Sequence, residues 1–191
     1  MKQYINFTTK FGEGIKHQNV DIAAISEYDQ YLLTNEVVEI LSEEGISSYG
    51  DGFIWTLNPN DYVEWLNNWI QLEDRCVPFG RTAFGDLFFM KERQPMILTV
   101  SKGLIDYTTS RLDWFFNRYL SEDEFMDEYF NLTLYKNLSS KDLNQNECYG
   151  FKTLLSEGGA ETISNVSKMD LKAYLASVSS NLAEVGFYKH E

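Results

Sequence analysis

The stretch TAFGDLFFMKERQPMILTVSKGLIDY, residues 82–107, decides the fold class. Aromatic and aliphatic residues dominate its two ends, so residues 82–90 and 95–107 are predicted to be strands. The polar residues 92–94 between them predict a turn. Residues 53–57, FIWTL, predict another strand for the same reason. Together these segments predict an antiparallel sheet region in the middle of the chain.

A helix is predicted before this sheet, over residues 30–44. Leu33, Val37 and Leu41 recur at i, i+4 and i+8, which places them on one helix face. Gly45 follows at the position where glycine commonly ends a helix. This helix is expected to pack the leucine and valine face against the core.

A second helix is predicted to start at the dipeptide Asn58-Pro59. Asparagine is a favoured N-cap residue, and proline is favoured at the first helical position. The broad apolar stripe of this helix indicates core packing rather than an aromatic shelf for a ligand, and Trp55 on the strand is expected to point inward as well. The stripe comprises Tyr62, Trp65, Leu66, Trp69 and Ile70.

The C-terminal part is predicted to be mainly helical. Residues 111–130 are predicted to be helical with a break near Ser121, which has capping-box spacing with Glu124. Residues 149–155 predict a strand and Gly158-Gly159 a tight turn. A last helix is predicted from an apolar face made of Leu171, Tyr174, Leu175 and Val178.

These elements predict an α+β fold. A central antiparallel sheet region is flanked by helices, and a mainly helical C-terminal module packs against it. The predicted domains are residues 1–107 and 108–191, joined as one continuous compact unit. The seam between them is placed between Tyr107 and Leu112.

Charge and composition exclude several classes of function. The 191 residues include 16 Lys and Arg against 29 Asp and Glu, a formal net charge of -13. Such a chain repels nucleic acid and anionic membranes. Hydrophobic residues make up 43% and aromatic residues 15%, which indicates a folded protein with an acidic surface. Without a recognisable signal sequence or an apolar stretch of membrane-spanning length, we expect a cytoplasmic protein.

Catalytic and metal chemistry have little support in the sequence. The two histidines, His17 and His190, lie near the chain ends, and no Cys or His pair has ligand spacing, so no metal or cofactor is predicted. No GxSxG motif is present. Cys148 is interpreted as a small buried hydrophobe, and a disulfide with Cys76 stays open. Asp51-Gly52 is interpreted as a turn. We therefore expect a protein that is not an enzyme.

The distribution of acidic residues is more informative. Residues 17–74 contain no lysine or arginine but twelve acidic residues. Within the 30–44 helix, Glu36, Glu39 and Glu43 recur at i, i+3 and i+7, opposite the apolar face. They form an anionic ridge with no lysine in the helix to offset it. The candidate partner-binding residues are these three with Glu44 and Asp51, and a merely solubilising acidic face is the alternative.

Two segments carry a resemblance to a known family. Residues 143–178, LNQNECYGFKTLLSEGGAETISNVSKMDLKAYLASV, resemble the C-terminal module of type VI secretion immunity proteins, although Lys152-Thr153 follows Phe151 where a proline is expected. Residues 49–62 (YGDGFIWTLNPNDY) and 80–90 (GRTAFGDLFFM) are similar to the GAD-like domain that precedes this module. The resemblance implies an immunity protein, made in the cytoplasm of the toxin producer, that neutralises a co-encoded effector, in related pairs often a DNase.

Three functional hypotheses follow. The first is an immunity protein that binds a basic nuclease-type toxin through its acidic surface, because a nuclease is cationic where it holds DNA. The second is a small-ligand-binding or regulatory interaction protein that uses the aromatic-rich middle as a pocket. The third is a hydrolase in which two carboxylates converge in a cleft. The oligomeric state stays open.

Overall fold

The computed structural model describes residues 1–182 and 184–188, so His190 lies outside the described residues. The helices are α1 (Ile5–Phe11), α2 (Glu27–Glu44), α3 (Val63–Ile70), α4 (Leu112–Asn117), α5 (Asp123–Phe130), α6 (Leu132–Lys136) and α7 (Leu171–Asn181). The strands are β1 (Ile15–Gln18), β2 (Ile46–Tyr49), β3 (Ile54–Thr56), β4 (Cys76–Thr82), β5 (Leu87–Lys91), β6 (Gln94–Thr99), β7 (Leu104–Tyr107), β8 (Glu147–Phe151), β9 (Val166–Asp170) and β10 (Gly186–Phe187).

Eight of these strands form one sheet in the order β1-β2-β3-β4-β5-β6-β7-β10. Neighbouring strands from β1 to β7 are antiparallel, and β10 pairs with β7 in the parallel direction. Strands β8 and β9 form a separate antiparallel pair. The sheet is surrounded by helices and the C-terminal part is mainly helical, so the predicted α+β class is confirmed.

Two predicted strands have different bounds in the structure. Residues 83–86 form the turn between β4 and β5, where Gly85 has a φ of 86°. Residues 95–107 divide into β6 and β7 at a short 3-10 turn that ends at Gly103, with a φ of 61°. Glycine adopts these positive φ values without the steric cost that a side chain would add. Each glycine therefore allows the chain to reverse direction within a segment that is predicted from its apolar composition to be a single strand.

Strands β2–β6 are buried on both faces of the sheet, which explains why they lack polar alternation. In β5, Phe88 and Met90 belong to one core, whereas Leu87 and Phe89 belong to the other. Successive side chains of a strand point to opposite faces, so one strand contributes to both cores. Helices α2 and α4 cover the first face, and α3 and α7 cover the second.

Helix α2 has the predicted buried face and an unpredicted kink. Leu33, Val37 and Leu41 are fully buried, and the N–H of Gly45 donates to the carbonyl of Leu41, which confirms both the face and the C-cap. At Thr34 the backbone leaves the helical region, with a φ of 64° and a ψ of 157°. The helix therefore consists of two segments that meet at Thr34.

The helix break predicted near Ser121 is present, but its hydrogen bonding differs. Helix α4 ends at Asn117 and α5 begins at Asp123. The hydroxyl of Ser121 donates to the carbonyl of Phe116 over 2.7 Å and does not cap α5. The predicted capping box with Glu124 is therefore wrong, because the serine satisfies a carbonyl at the end of α4.

The C-terminal part packs directly on the sheet. The N–H of Tyr149, in β8, donates to the carbonyl of Ala83 in the β4–β5 turn over 2.8 Å. The rings of Phe84 and Phe151 are stacked, with centroids 6.0 Å apart. The boundary expected near residue 107 falls in the connection from β7 to α4, and the division into two modules stays a prediction.

Candidate partner-binding surface

The three glutamates predicted to form a ridge lie in the second segment of α2. Glu36, Glu39 and Glu43 follow the kink at Thr34, so their helical spacing is intact, and all three are exposed. We call these three residues the acidic ridge. The ridge begins just after the kink, because Glu36 is two residues beyond Thr34.

Ion pairs distinguish the acidic ridge from the other acidic residues of the basic-free span. Basic groups from outside residues 17–74 reach five of the twelve acids. Arg75 binds two of them, and Lys91, Lys172 and the N-terminal ammonium bind one each; the five are Asp29, Glu44, Asp61, Glu64 and Asp74. None of the ion pairs in the described part of the chain involves a ridge glutamate, so no basic group there is paired with the ridge.

One basic side chain does approach the C-terminal end of the ridge. The Nζ of Lys16, in β1, donates to the backbone carbonyl of Glu43 over 2.9 Å. This contact places a cation at the C-terminus of α2, where the helix dipole favours it. Lys16 therefore stabilises the end of the helix through a backbone carbonyl.

Glu44 and Asp51 have surroundings unlike those of the acidic ridge. The carboxylate of Glu44 is 3.1 Å from the N-terminal ammonium of Met1 and only partly exposed. Asp51 is exposed in the turn between β2 and β3, as predicted, with a φ of 55°. It lines a separate cavity of about 320 Å³ together with Lys10 and Lys141. The structure thus groups three of the five candidate residues on one helix face.

The two cysteines and His17 have surroundings that are typical of structural residues. Cys76 and Cys148 are free and buried, and burial raises the pKa of each thiol to about 12. His17 stacks on the ring of Trp55 at 4.8 Å, and its Nε2 is 2.9 Å from the Ser48 hydroxyl. Burial and nearby Arg81 lower the pKa of His17. In the described ranges, no group of three or more His, Cys, Asp or Glu is arranged to hold a metal ion.

Asp86 has the kind of pKa shift that a carboxylate hydrolase would need, but its surroundings are closed. Burial raises the pKa of its carboxyl group to about 6. Only 2% of Asp86 is exposed, and its oxygens accept hydrogen bonds from the Thr82 hydroxyl and the Val100 N–H. This carboxylate supports the turns at the ends of β4 and β6 and is not open to a substrate.

The aromatic middle does not enclose a ligand-sized space. The cavity among Val37, Tyr49, Trp55 and Phe88 has a volume of about 10 Å³. A cavity needs roughly 10–15 Å³ to hold one water molecule. The aromatic side chains therefore fill the core, and the ligand pocket expected there under the second hypothesis is not supported.

Family comparisons agree with the two resemblances. Residues 109–180 match the family model of the C-terminal domain of the T6SS immunity protein Tdi1, so the second part of the chain is an immunity-type module. Residues 2–103, more than half of the sequence, match the GAD-like domain model. The chain belongs to the GAD-like family, with a type VI secretion immunity module following the GAD-like domain.

The fold is also that of a solved protein. The crystal structure of Atu4351 from Agrobacterium tumefaciens superimposes with a TM-score of 0.69 at 16% identity, over 92% of this chain and 88% of that one. This similarity establishes the fold. No curated protein matches the chain. None of the helices in residues 1–182 and 184–188 is long and apolar enough to cross a membrane.

One exposed aromatic residue was not identified from the sequence. Trp114, in α4, is 44% exposed, and the guanidinium groups of Arg111 and Arg118 lie 5.3 and 5.7 Å from its ring centroid. The three residues recur at i, i+3 and i+7, which is one helix face. This spacing of arginine around tryptophan is the signal in the sequence that points to the surface.

Proposed function

We propose that this protein is a cytoplasmic immunity protein that binds a cognate secreted toxin and neutralises it. The match of residues 109–180 to the Tdi1 C-terminal domain is the observation that carries this proposal. The toxin is a basic nuclease, and the acidic ridge contacts its nucleic-acid-binding surface. The unpaired charge of Glu36, Glu39 and Glu43 supports this choice of partner.

The proposed mechanism is occlusion of the toxin's active surface. A nuclease holds the phosphate backbone with cationic side chains. Three carboxylates along one helix face present several negative charges in a row to the same cations. Complementary charge accelerates association and discriminates against wrong partners. The bound protein then excludes nucleic acid from that surface.

Co-expression with the product of the adjacent open reading frame tests the immunity role. We expect rescue of growth and elution of the two proteins as one complex in size-exclusion chromatography. If the two proteins neither co-elute nor show growth rescue, the immunity role is refuted.

A charge-reversal variant tests the acidic ridge separately. We expect Glu36→Lys with Glu39→Lys and Glu43→Lys to abolish binding and rescue at physiological salt. The matched control is Glu13→Lys with Glu73→Lys and Glu157→Lys, which makes the same net charge change at exposed positions elsewhere. Equal loss in both triple variants would mean that net charge, and not the ridge, is responsible.

A further inference from the structure

A cavity of about 470 Å³ lies at the N-terminal end of the acidic ridge. Thr34, Glu36 and Arg93 line it from the GAD-like domain, and Arg111 and Asp113 line it from the immunity module. We call it the seam pocket. Glu36 belongs to both the ridge and the pocket, so a partner that follows the ridge reaches the pocket at its end.

The backbone at Thr34 is strained. Its φ of 64° and ψ of 157° lie in a region that only glycine commonly occupies. Its hydroxyl is buried without a hydrogen-bond partner. A strained residue of this kind costs about 1–3 kcal/mol and is concentrated at binding and catalytic sites. Here the strained residue lines the seam pocket.

Three of the four charged groups in the pocket are already engaged. Arg111 binds Asp113 with two hydrogen bonds of 3.0 and 2.6 Å. Arg93 donates to the carbonyl of Tyr31, and its guanidinium lies 4.9 Å from the Tyr31 ring centroid. Glu36 takes part in no ion pair within the described residues. Glu36 is therefore the one of these four charged groups that makes neither a hydrogen bond nor an ion pair within the described residues.

Exposed aromatic residues stand beside the pocket on both sides of the seam. Tyr31 is 63% exposed, and the guanidinium of Arg93, which lines the pocket, lies over one face of its ring. Trp114 is 44% exposed, and the guanidinium of Arg111, which also lines the pocket, lies over its ring. Tryptophan, tyrosine and arginine are the residues that most often dominate the energy of protein interfaces. Their grouping around one cavity is typical of the anchor of an interface.

We propose that the seam pocket is the anchor of the toxin interface and receives a lysine or arginine side chain of the toxin. The cationic group pairs with the carboxylate of Glu36. The aromatic faces of Tyr31 and Trp114 pack on the neighbouring toxin surface. This inference rests on the proposed function, and it adds that the toxin contacts both modules.

An anchor and an exposed ridge predict different kinetic effects. Loss of an exposed charge chiefly slows association, whereas loss of a buried partner in an ion pair chiefly speeds dissociation. We expect Glu36→Gln to raise the dissociation rate at least tenfold. Glu39→Gln and Glu43→Gln, farther along the ridge, should lower the association rate less than about threefold and leave dissociation nearly unchanged.

The test uses the full chain and the purified product of the adjacent open reading frame, with association and dissociation rates measured by biolayer interferometry. Trp114→Ala should also raise the dissociation rate about tenfold. Ile163→Ala, an exposed apolar residue in the 3-10 turn before β9, is the control and should bind like the wild type. Thermal unfolding of each variant verifies that the fold is intact.

The possible results separate this inference from the proposed function. If the wild type binds and Glu36→Gln dissociates at the wild-type rate, the anchor is refuted and the immunity role is retained. If the wild type does not bind, both proposals fail. A wild-type dimer in sedimentation that Trp114→Ala dissociates would instead assign this surface to a second copy of the chain and overturn the anchor.

Discussion

Arg81 and Trp55 are directly paired across strands β4 and β3, and the guanidinium carbon of Arg81 lies 4.7 Å from the indole centroid. Only 1% of Arg81 is exposed, and burial lowers its pKa to about 10. Its guanidinium donates to the carbonyls of Thr82 and Gln145, over 3.0 and 3.3 Å. No carboxylate in the described residues pairs with it. The indole face and two carbonyls therefore hold a buried cation, and one of the carbonyls comes from the segment before β8.

Trp55→Ala should destabilise the fold by about 3–5 kcal/mol, the usual range for a buried tryptophan. The substitution removes core volume and also leaves the Arg81 cation without its aromatic partner. Trp114→Ala is the matched control, because that tryptophan is exposed, and it should change stability by less than about 1 kcal/mol. Urea unfolding followed by circular dichroism measures both. Equal effects at the two positions would contradict the role given to Trp55.

Asp86 should make stability depend on pH between about 4 and 6. Its folded pKa, about 6, is above its unfolded value of 3.8, so the folded state binds more protons in this range. The free energy of unfolding should therefore fall as pH rises from 4 to 6, by on the order of 2 kcal/mol from this group. Asp86→Asn should lack this component, and the exposed control Glu13→Gln should keep it. Subtracting the free energy of unfolding of the variant from that of the wild type at each pH isolates the contribution of Asp86 from those of the other carboxylates.

Thr34→Gly should stabilise the isolated protein by about 1 kcal/mol. Glycine relieves roughly 1–3 kcal/mol of backbone strain at this φ and ψ and loses about 0.5–1 kcal/mol through greater unfolded-state freedom. Thr34→Ala is the control, because it also removes the unpaired hydroxyl but keeps the Cβ. A gain for alanine as large as that for glycine would assign the effect to the hydroxyl. Thermal unfolding distinguishes the two.

Cys76 and Cys148 should resist thiol reagents in the native protein. Burial keeps both thiols protonated at neutral pH, and only the thiolate reacts readily. Both should be labelled rapidly in denaturant without a reducing agent, because neither forms a disulfide. Mass spectrometry counts the adducts. Rapid labelling of Cys148 in the native state would contradict its role as a small buried hydrophobe.

Local sequence patterns were sufficient for the buried face and the C-terminal end of α2 and for the exposure of the acidic ridge, but not for the kink at Thr34. The spacing of Leu33, Val37 and Leu41 defines the buried face, and the glutamates must then point outward. Strand β4 was not predicted because Pro78 and Gly80, which disfavour strands, lie within it. Both residues flank the irregularity in its pairing with β5, where a strand tolerates them.

Features that depend on distant contacts could not be predicted in the same way. Arg75, which ends the basic-free span in the sequence, bonds to Asp29 over 2.6 Å and to Glu64 over 2.8 Å. The sequence shows twelve acidic residues in a span without lysine or arginine. Only the folded structure shows which of these acids form ion pairs with basic groups from outside the span. The seam pocket is a similar case, because the residues that line it are far apart in the sequence and meet only in the folded chain.

The pairing order of the sheet has a consequence for how the chain folds. Every neighbouring pair from β1 to β7 joins strands that are consecutive in the sequence, whereas β10 must return across the whole immunity module to reach β7. Contacts between nearby segments close short loops and are therefore favoured early. The meander is expected to assemble first and the C-terminal helices and β10 to dock last. Until they dock, part of each apolar face and the β7 edge are open, and this intermediate is the species most prone to aggregation during synthesis.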